Sequence, residues 1–297
     1  MLQFGKPRVR DVTTLAFGAS GLRYLATTGG RVTKWGSLEL PLGLIKNGLI
    51  TNPVEMGTIL HELFTQQELD RRRVVTALTG LRSIPRILTL TKLQGSLLEE
   101  TIAQEARTEM PLPLDDLYLS WESYEVQGEM QRIYLLGVPR DLVDAQVKAI
   151  EAASIQPYVM DLKPLALIRA VNQPDAVITN LELGSLDVVL VQGFQPAVMR
   201  TFSLEEDDLS DEGRLDRLVN ELVQATRFYN DSHPNAMISA MTPLYMTGRL
   251  LGHRDAREYV AVNVEYPAAP VTSSIQAPSD MPVAEYMTNL GLSQKKV

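Results

Sequence analysis

Short apolar stretches at the start of the chain predict a meander of three β-strands. An apolar run over residues 12–17 is followed by a second over 22–27, which ends at a glycine pair typical of a hairpin turn. Residues 31–40 then alternate between apolar and polar side chains, which predicts the third strand. The turn between the first two strands is built from small residues, Gly18-Ala19-Ser20-Gly21.

A second meander of the same design is predicted later in the chain. Apolar strands over 176–183 and 186–192 flank Gly184-Ser185, and a third strand follows over 197–202. The strand–turn–strand–turn–strand pattern therefore occurs twice, near residues 12–40 and 176–203.

The residues between the two meanders mix helical and strand patterns. A helix begins at Asn52-Pro53, where asparagine suits the N-cap and proline the first helical position. The further predicted elements are strands at 74–78 and 83–90, a helix at 97–110, strands at 118–126 and 131–138, a helix at 141–153, a strand at 157–161 and a helix at 164–171. We interpret most of this region as an inserted α+β segment.

After the second meander the pattern becomes less regular. It predicts a helix over 215–229, a strand over 243–247 that ends at Gly248, and a last strand over 259–264. The residues from 294 to 297 are expected to be frayed.

Composition excludes several functional classes. A net charge of −8 argues against nucleic-acid binding, because an acidic chain repels phosphate backbones. The absence of cysteine excludes disulfides, thiol nucleophiles and thiolate metal sites. No run approaches the roughly 18–20 apolar residues that span a bilayer. We therefore expect a cytoplasmic protein without a membrane span of its own.

The repeated glycine-turned meander is typical of the actin and sugar-kinase architecture, and three further segments make the match more specific. Residues 43–53, 105–116 and 159–170 resemble, in the same order, three sequence segments of the PilM family of type IV pilus assembly proteins. The resemblance extends over about residues 12–203 and becomes weaker afterwards.

This resemblance implies an α/β fold of the actin-like, ribonuclease H-like type, with two lobes and an inserted α+β subdomain of the kind shared with the cell-division protein FtsA. The resemblance implies four segments: the N-terminal part of the first lobe over 1–42, the insert over 43–155, the return helix of the first lobe over 156–173, and a shortened second lobe over 174–297.

The resemblance also implies a function and partners. PilM proteins are cytoplasmic scaffolds on the inner membrane that bind the cytosolic tail of the membrane protein PilN and connect it to the pilus motor ATPases. In this chain the groove for the tail is expected near residues 43–170. A relative in a secretion machine would show much the same sequence.

The glycine turns are the candidate nucleotide site, because this fold binds a nucleotide between its lobes and only small residues let the backbone approach the phosphates. The candidate residues are Gly18, Ala19, Ser20, Glu182, Gly184, Ser185 and Gly248.

Several of these positions depart from the family pattern. The family has an aspartate at the position of Ala16, Glu182 replaces a second aspartate, and Arg249 replaces a glycine. We expect a degenerate site with no catalytic residue, no metal and no cofactor. An active ATPase that binds Mg-ATP and forms filaments or switches partners is the alternative, and a divergent sugar-kinase-like enzyme is a third hypothesis.

Overall fold

The computed structural model describes residues 11–19, 21–204 and 210–295. The chain divides into two compact units. The small unit is Arg82–Asp144, and the large unit comprises the described residues before and after it. Each unit is considered by itself.

The strands are numbered in chain order through both units. They are β1 Val12–Gly18, β2 Gly21–Thr28, β3 Arg31–Glu39, β4 Ile45–Lys46, β5 Leu49–Ile50, β6 Val74–Leu78, β7 Ile84–Thr91, β8 Leu117–Gln127, β9 Met130–Pro139, β10 Pro157–Leu162, β11 Ala176–Leu181, β12 Ser185–Gln192, β13 Gln195–Ser203, β14 Leu244–Thr247 and β15 Ala268–Ala269.

The helices are numbered in the same way. They are α1 Pro53–Gln66, α2 Gly95–Glu109, α3 Arg140–Ala152, α4 Lys163–Val171, α5 Asp211–Ser232, α6 Arg254–Asn263 and α7 Met287–Ser293, with 3-10 helices at Leu114–Asp116, Leu250–Gly252 and Val283–Tyr286. Within the described residues, no helix is both long enough and apolar enough to cross a lipid bilayer.

The first sheet of the large unit has the strand order β10-β6-β1-β2-β3. Strands β1, β2 and β3 form the predicted antiparallel meander, and Gly29 and Gly30 adopt the positive φ angles that a tight hairpin requires. Helix α1 packs on this sheet, with Leu60 and Phe64 among its buried residues. The predicted N-cap is confirmed, because the Asn52 side chain accepts a hydrogen bond from the Glu55 amide.

The second sheet repeats the first. Its order is β13-β12-β11-β14-β15, in which the three strands of a meander are again followed by strands that join in parallel. Helices α5 and α6 contribute Leu218, Leu222 and Val260 to its core. The two predicted meanders thus form one side of each of two sheets with the same connectivity.

The two sheets share a hydrophobic core through α4 and α7. This core joins Leu25 of the first sheet and Ile178 of the second to Leu167 of α4 and Leu290 of α7. All seven residues of α7 are buried. The sequence pattern did not predict this helix, and the tail that begins at the adjoining residue Gln294 was expected to be frayed. Gln294 is instead buried and donates a hydrogen bond to the Ser274 hydroxyl.

The small unit is a three-stranded antiparallel sheet of order β7-β9-β8 with α2 packed on it. It is shorter than the predicted insert of 43–155. The difference arises because β6, within the predicted insert, pairs in parallel with β1 and so belongs to the first sheet of the large unit. This pairing joins residues about 60 positions apart, which a local pattern does not reveal.

The predicted strand at 259–264 is wrong. These residues lie at the end of α6, where Val260 is buried and Val262 is exposed. A run of apolar residues this short is ambiguous between helix and strand. In the structure these residues are helical, and Val260 faces the core of the second sheet.

Candidate functional site

The first two glycine turns lie at a shared cavity of about 430 Å³ in the large unit. The turn between β1 and β2 is closed by the pair Gly18 and Gly21. The turn between β11 and β12 is closed by a hydrogen bond from the Glu182 amide to the Ser185 carbonyl. Both are tight hairpins, so the two sheets present similar backbone at the cavity.

The predicted site residues divide into those that line this cavity and those that do not. Gly18, Ala19, Glu182 and Gly184 line it. Ser20 lies outside the described residues. Ser185 and Gly248 are not among the residues that line it. The structure therefore brings together the first turn and the first half of the second.

Arg23 is the central charged group of the cavity. Its Nη1 lies 2.8 Å from Glu182 Oε1, and its Nη2 lies 3.0 Å from Glu182 Oε2. Nη2 also lies 3.4 Å from Glu285 Oε2, in the 3-10 helix before α7. The side chains of Arg23 and Glu182 are only 17% and 16% exposed. One guanidinium thus joins two carboxylates from distant parts of the chain.

Arg23 projects into the cavity because of its register in the first sheet. It lies directly opposite Ala16 in the β1–β2 pair, and directly opposed residues in a sheet point to the same face. Position 16 is where the family resemblance expects a carboxylate. The guanidinium therefore occupies the neighbourhood that such a carboxylate would face.

The surroundings of Arg23 keep it charged. Burial lowers the pKa of Arg23, but the charge and hydrogen bonds of Glu182 raise it, and the net pKa is above the ordinary value. The guanidinium lies 5.9 Å from the ring centroid of Tyr286, which in turn contacts Trp35 edge to face. Burial raises the pKa of Tyr286 to about 12, so this ring stays neutral.

A second buried ion pair lies beside the cavity. Lys163, the first residue of α4, has its Nζ 2.8 Å from Asp187 Oδ2 on β12. The Asp187 carboxylate is fully buried and also accepts hydrogen bonds from Thr201 and Asn180. Lys163 lines the cavity, whereas Asp187 is not among the residues that line it. The lysine charge is therefore balanced within the second sheet.

Gly248, in the predicted third glycine turn, lies against other backbone segments of the same chain. Its φ is +93°, and a Cβ there would lie 2.5 Å from the Leu181 carbonyl oxygen. Its amide donates a hydrogen bond to the Ala284 carbonyl at 2.9 Å. The glycine is needed because backbone passes close to it, and its partner is the segment that leads into α7.

The two glycine turns supply no carboxylate oxygen without a partner for a magnesium ion. Magnesium usually requires one or two carboxylates in addition to phosphate oxygens. Position 16 is alanine, and both carboxylate oxygens of Glu182 bond Arg23. Within the described residues, no group of three or more histidine, aspartate or glutamate side chains could hold a metal ion.

Local sequence patterns did not reveal most of the charged groups of this site. Arg23 lies two residues after Gly21, and this closeness to the first glycine turn was the signal that could have marked it, as Arg249 was marked beside Gly248. Lys163, Asp187 and Glu285 carry no local signal. Glu285 is 262 residues from Arg23, so only the folded chain reveals their contact.

Comparison with solved structures identifies the fold. The chain resembles the PilM–PilN type IV pilus biogenesis complex with a TM-score of 0.78 and 21% identity, over 96% of this chain and 98% of that one. It resembles the cytoplasmic domain of EpsL, an inner-membrane component of the Vibrio cholerae type II secretion system, with a TM-score of 0.55 and 13% identity, over 96% of both chains. A Bacteroides thetaiotaomicron protein described as having an actin-like ATPase fold matches with a TM-score of 0.50 and 10% identity, over 98% of both chains.

These similarities confirm the predicted actin-like fold. No curated protein was found with significant sequence similarity to the chain. A family model described as type IV pilus assembly protein PilM matches residues 17–199, which is more than half of the 297 residues. The chain therefore belongs to the family of the type IV pilus assembly protein PilM.

Proposed function

We propose that this protein is a scaffold of a type IV pilus assembly platform that binds the cytosolic tail of a PilN-like membrane protein. The observation that carries the proposal is the similarity to a PilM–PilN complex, which extends over nearly the whole of both chains. Family membership supports the same role. On this proposal the protein resides in the cytoplasm and reaches the inner membrane through its partner, with the pilus motor ATPases as further partners.

The proposed tail-binding region is residues 43–170, as the family resemblance implies. The small unit lies within this range and has a distinct charge. Over 82–144 it contains six basic and eleven acidic residues, a difference of −5 within the total of −8. Cytoplasmic segments beside membrane spans tend to be rich in lysine and arginine. The acidic character of this region therefore suits such a partner.

Binding of the tail can be tested directly. A fluorescently labelled peptide with the N-terminal cytosolic sequence of a PilN-like protein from the same host is expected to bind saturably, as measured by fluorescence anisotropy. A peptide of the same composition in scrambled order is the control. Equal binding of the two peptides, or no binding of either, would contradict the proposal.

We further propose that the scaffold acts without bound nucleotide. Two observations support this: residue 16 lacks a carboxylate, and Glu182 is already paired with Arg23. The cavity itself supports the alternative hypothesis, that the protein binds ATP. Its volume of about 430 Å³ lies within the range of about 300–1,000 Å³ that is usual for ligand pockets.

Thermal unfolding distinguishes these two readings. We expect millimolar Mg-ATP to leave the melting temperature unchanged. A site filled at 100 times its dissociation constant would add about 2.7 kcal/mol to the free energy of unfolding, or roughly 4 °C in melting temperature for a chain of this size. The double substitution Ala16→Asp and Arg23→Ala is the matched variant, because it supplies the carboxylate and removes its competing cation. A shift of this size in the unmodified protein would favour the ATP-binding reading.

A further inference from the structure

We infer that Arg23 is a built-in cross-link that holds the two sheets of the large unit together at the position where an actin-like fold uses a bound cation and nucleotide. The inference concerns the chain itself and does not depend on the identity of the pilus partner. It rests on the geometry of three segments that meet at one guanidinium.

These three segments come from different parts of the large unit. Arg23 is on β2 of the first sheet, Glu182 begins the glycine turn of the second sheet, and Glu285 is in the 3-10 helix that precedes α7. The contact between Arg23 and Glu182 is bidentate, with one guanidinium nitrogen bonded to each carboxylate oxygen. Such paired contacts are stronger and more restrictive in geometry than a single ion pair.

The limited exposure of this cluster increases its effect. The exposed fractions are 17% for Arg23, 16% for Glu182 and 28% for Glu285. Exposed ion pairs are screened by water and salt, whereas partly buried pairs are screened much less. Removal of one partner would also leave the others charged in a poorly hydrated place. The cluster is therefore suited to resist separation of the two sheets.

The backbone of Arg23 is fixed as well as its side chain. Asn289 of α7 donates hydrogen bonds from Nδ2 to the carbonyl oxygens of Arg23 and Thr14, each at 3.2 Å. The segment that leads to α7 also bonds both sheets. The Val32 amide of the first sheet donates to the Gln276 carbonyl, and Gly248 of the second donates to Ala284.

A cation that belongs to the chain differs from a bound one because it cannot dissociate. A metal–nucleotide ligand joins two lobes only while it is bound, so its release can separate them. Arg23 is part of the chain, so it joins the two sheets without any ligand. The structure thus assigns to this chain one closed arrangement of the sheets that persists without ligand.

The test measures the distance between the sheets in solution. The chain has no cysteine, so Glu62→Cys on α1 and Gln224→Cys on α5 provide two specific sites for spin labels. Both residues are exposed, and each helix packs on a different sheet. Double electron–electron resonance is expected to give one narrow distribution of distances between the two spin labels, and Mg-ATP should not change it. Arg23→Met, which keeps the apolar stem and removes the charge, is expected to broaden or shift it.

The matched control removes an ion pair elsewhere in the large unit. Arg254→Ala breaks the Arg254–Glu258 pair on α6, whose side chains are 82% and 59% exposed, and should leave the distribution as it is. If Arg23→Met does not fold, Glu182→Gln removes the charge and one of the two acceptor oxygens of the same contact and is expected to broaden the distribution. An unchanged distribution in a folded variant of either residue, or a change caused by Mg-ATP in the unmodified pair, would overturn the inference.

Discussion

Gly291→Ala is expected to lower the free energy of unfolding by about 3 kcal/mol, the upper part of the usual range for overpacking. Helix propensity alone predicts the opposite, since alanine is favoured over glycine within a helix by about 1 kcal/mol. The physical reason is the packing of α7 on α4. A Cβ at 291 would overlap the Ala166 carbonyl oxygen and would lie 2.5 Å from its carbonyl carbon. Urea denaturation of the full chain measures the change.

The control for this substitution is Gly252→Ala. A Cβ there would meet nothing closer than 3.6 Å, from the Glu285 side chain, so the change should remain within about 0.5 kcal/mol. The two variants add the same methyl group in different surroundings. If they proved equally stable, the close approach of α7 to α4 would not be a feature of the protein in solution.

The second large effect is expected for Asp187→Ala, with a loss of about 3–5 kcal/mol. The substitution would leave the Lys163 ammonium without its counter-charge, in a side chain that is only 10% exposed. It would also remove the acceptor for the Thr201 hydroxyl at 2.7 Å and for the Asn180 amide at 3.1 Å. Chemical denaturation at neutral pH measures the loss.

The double variant Lys163→Met with Asp187→Asn shows whether charge is the cause. It removes both charges and keeps side chains of similar size, so much of the lost stability should return, because a buried ion pair can often be replaced by neutral groups at little cost. A further loss equal to the sum of the two single losses would mean that the two residues act independently. That result would contradict the proposed pairing.

Local patterns predicted the parts of this fold that form from neighbouring residues. The two meanders are hairpins, and their strands are separated by glycine turns that are visible in the sequence. The N-cap at Asn52 is equally local. The glycines and Glu182 at the cavity could be predicted for the same reason, since each belongs to one of these turns.

The remaining features depend on contacts between distant residues. The pairing of β6 with β1 determines where the small unit begins. Because the two strands are parallel, they are joined by a long connection and not by a tight turn that the sequence would show. Helix α7 has only seven residues, too few for a clear helical period. The role of Arg23 arises from Glu182 and Glu285, which are 159 and 262 residues away. Such ion clusters are defined by tertiary structure alone.

The burial of α7 has a consequence for the order of events during synthesis. Asn289 bonds Thr14, 275 residues earlier, and Leu292 packs with Val12 and Val75 of the first sheet. The first strands of that sheet leave the ribosome early. Part of the core on which they pack consists of residues that are translated much later. Contacts of such wide sequence separation slow folding and prolong the exposure of apolar surface. We therefore expect the nascent first sheet to remain incompletely packed, and dependent on chaperones, until the second sheet and the helix beyond it have emerged.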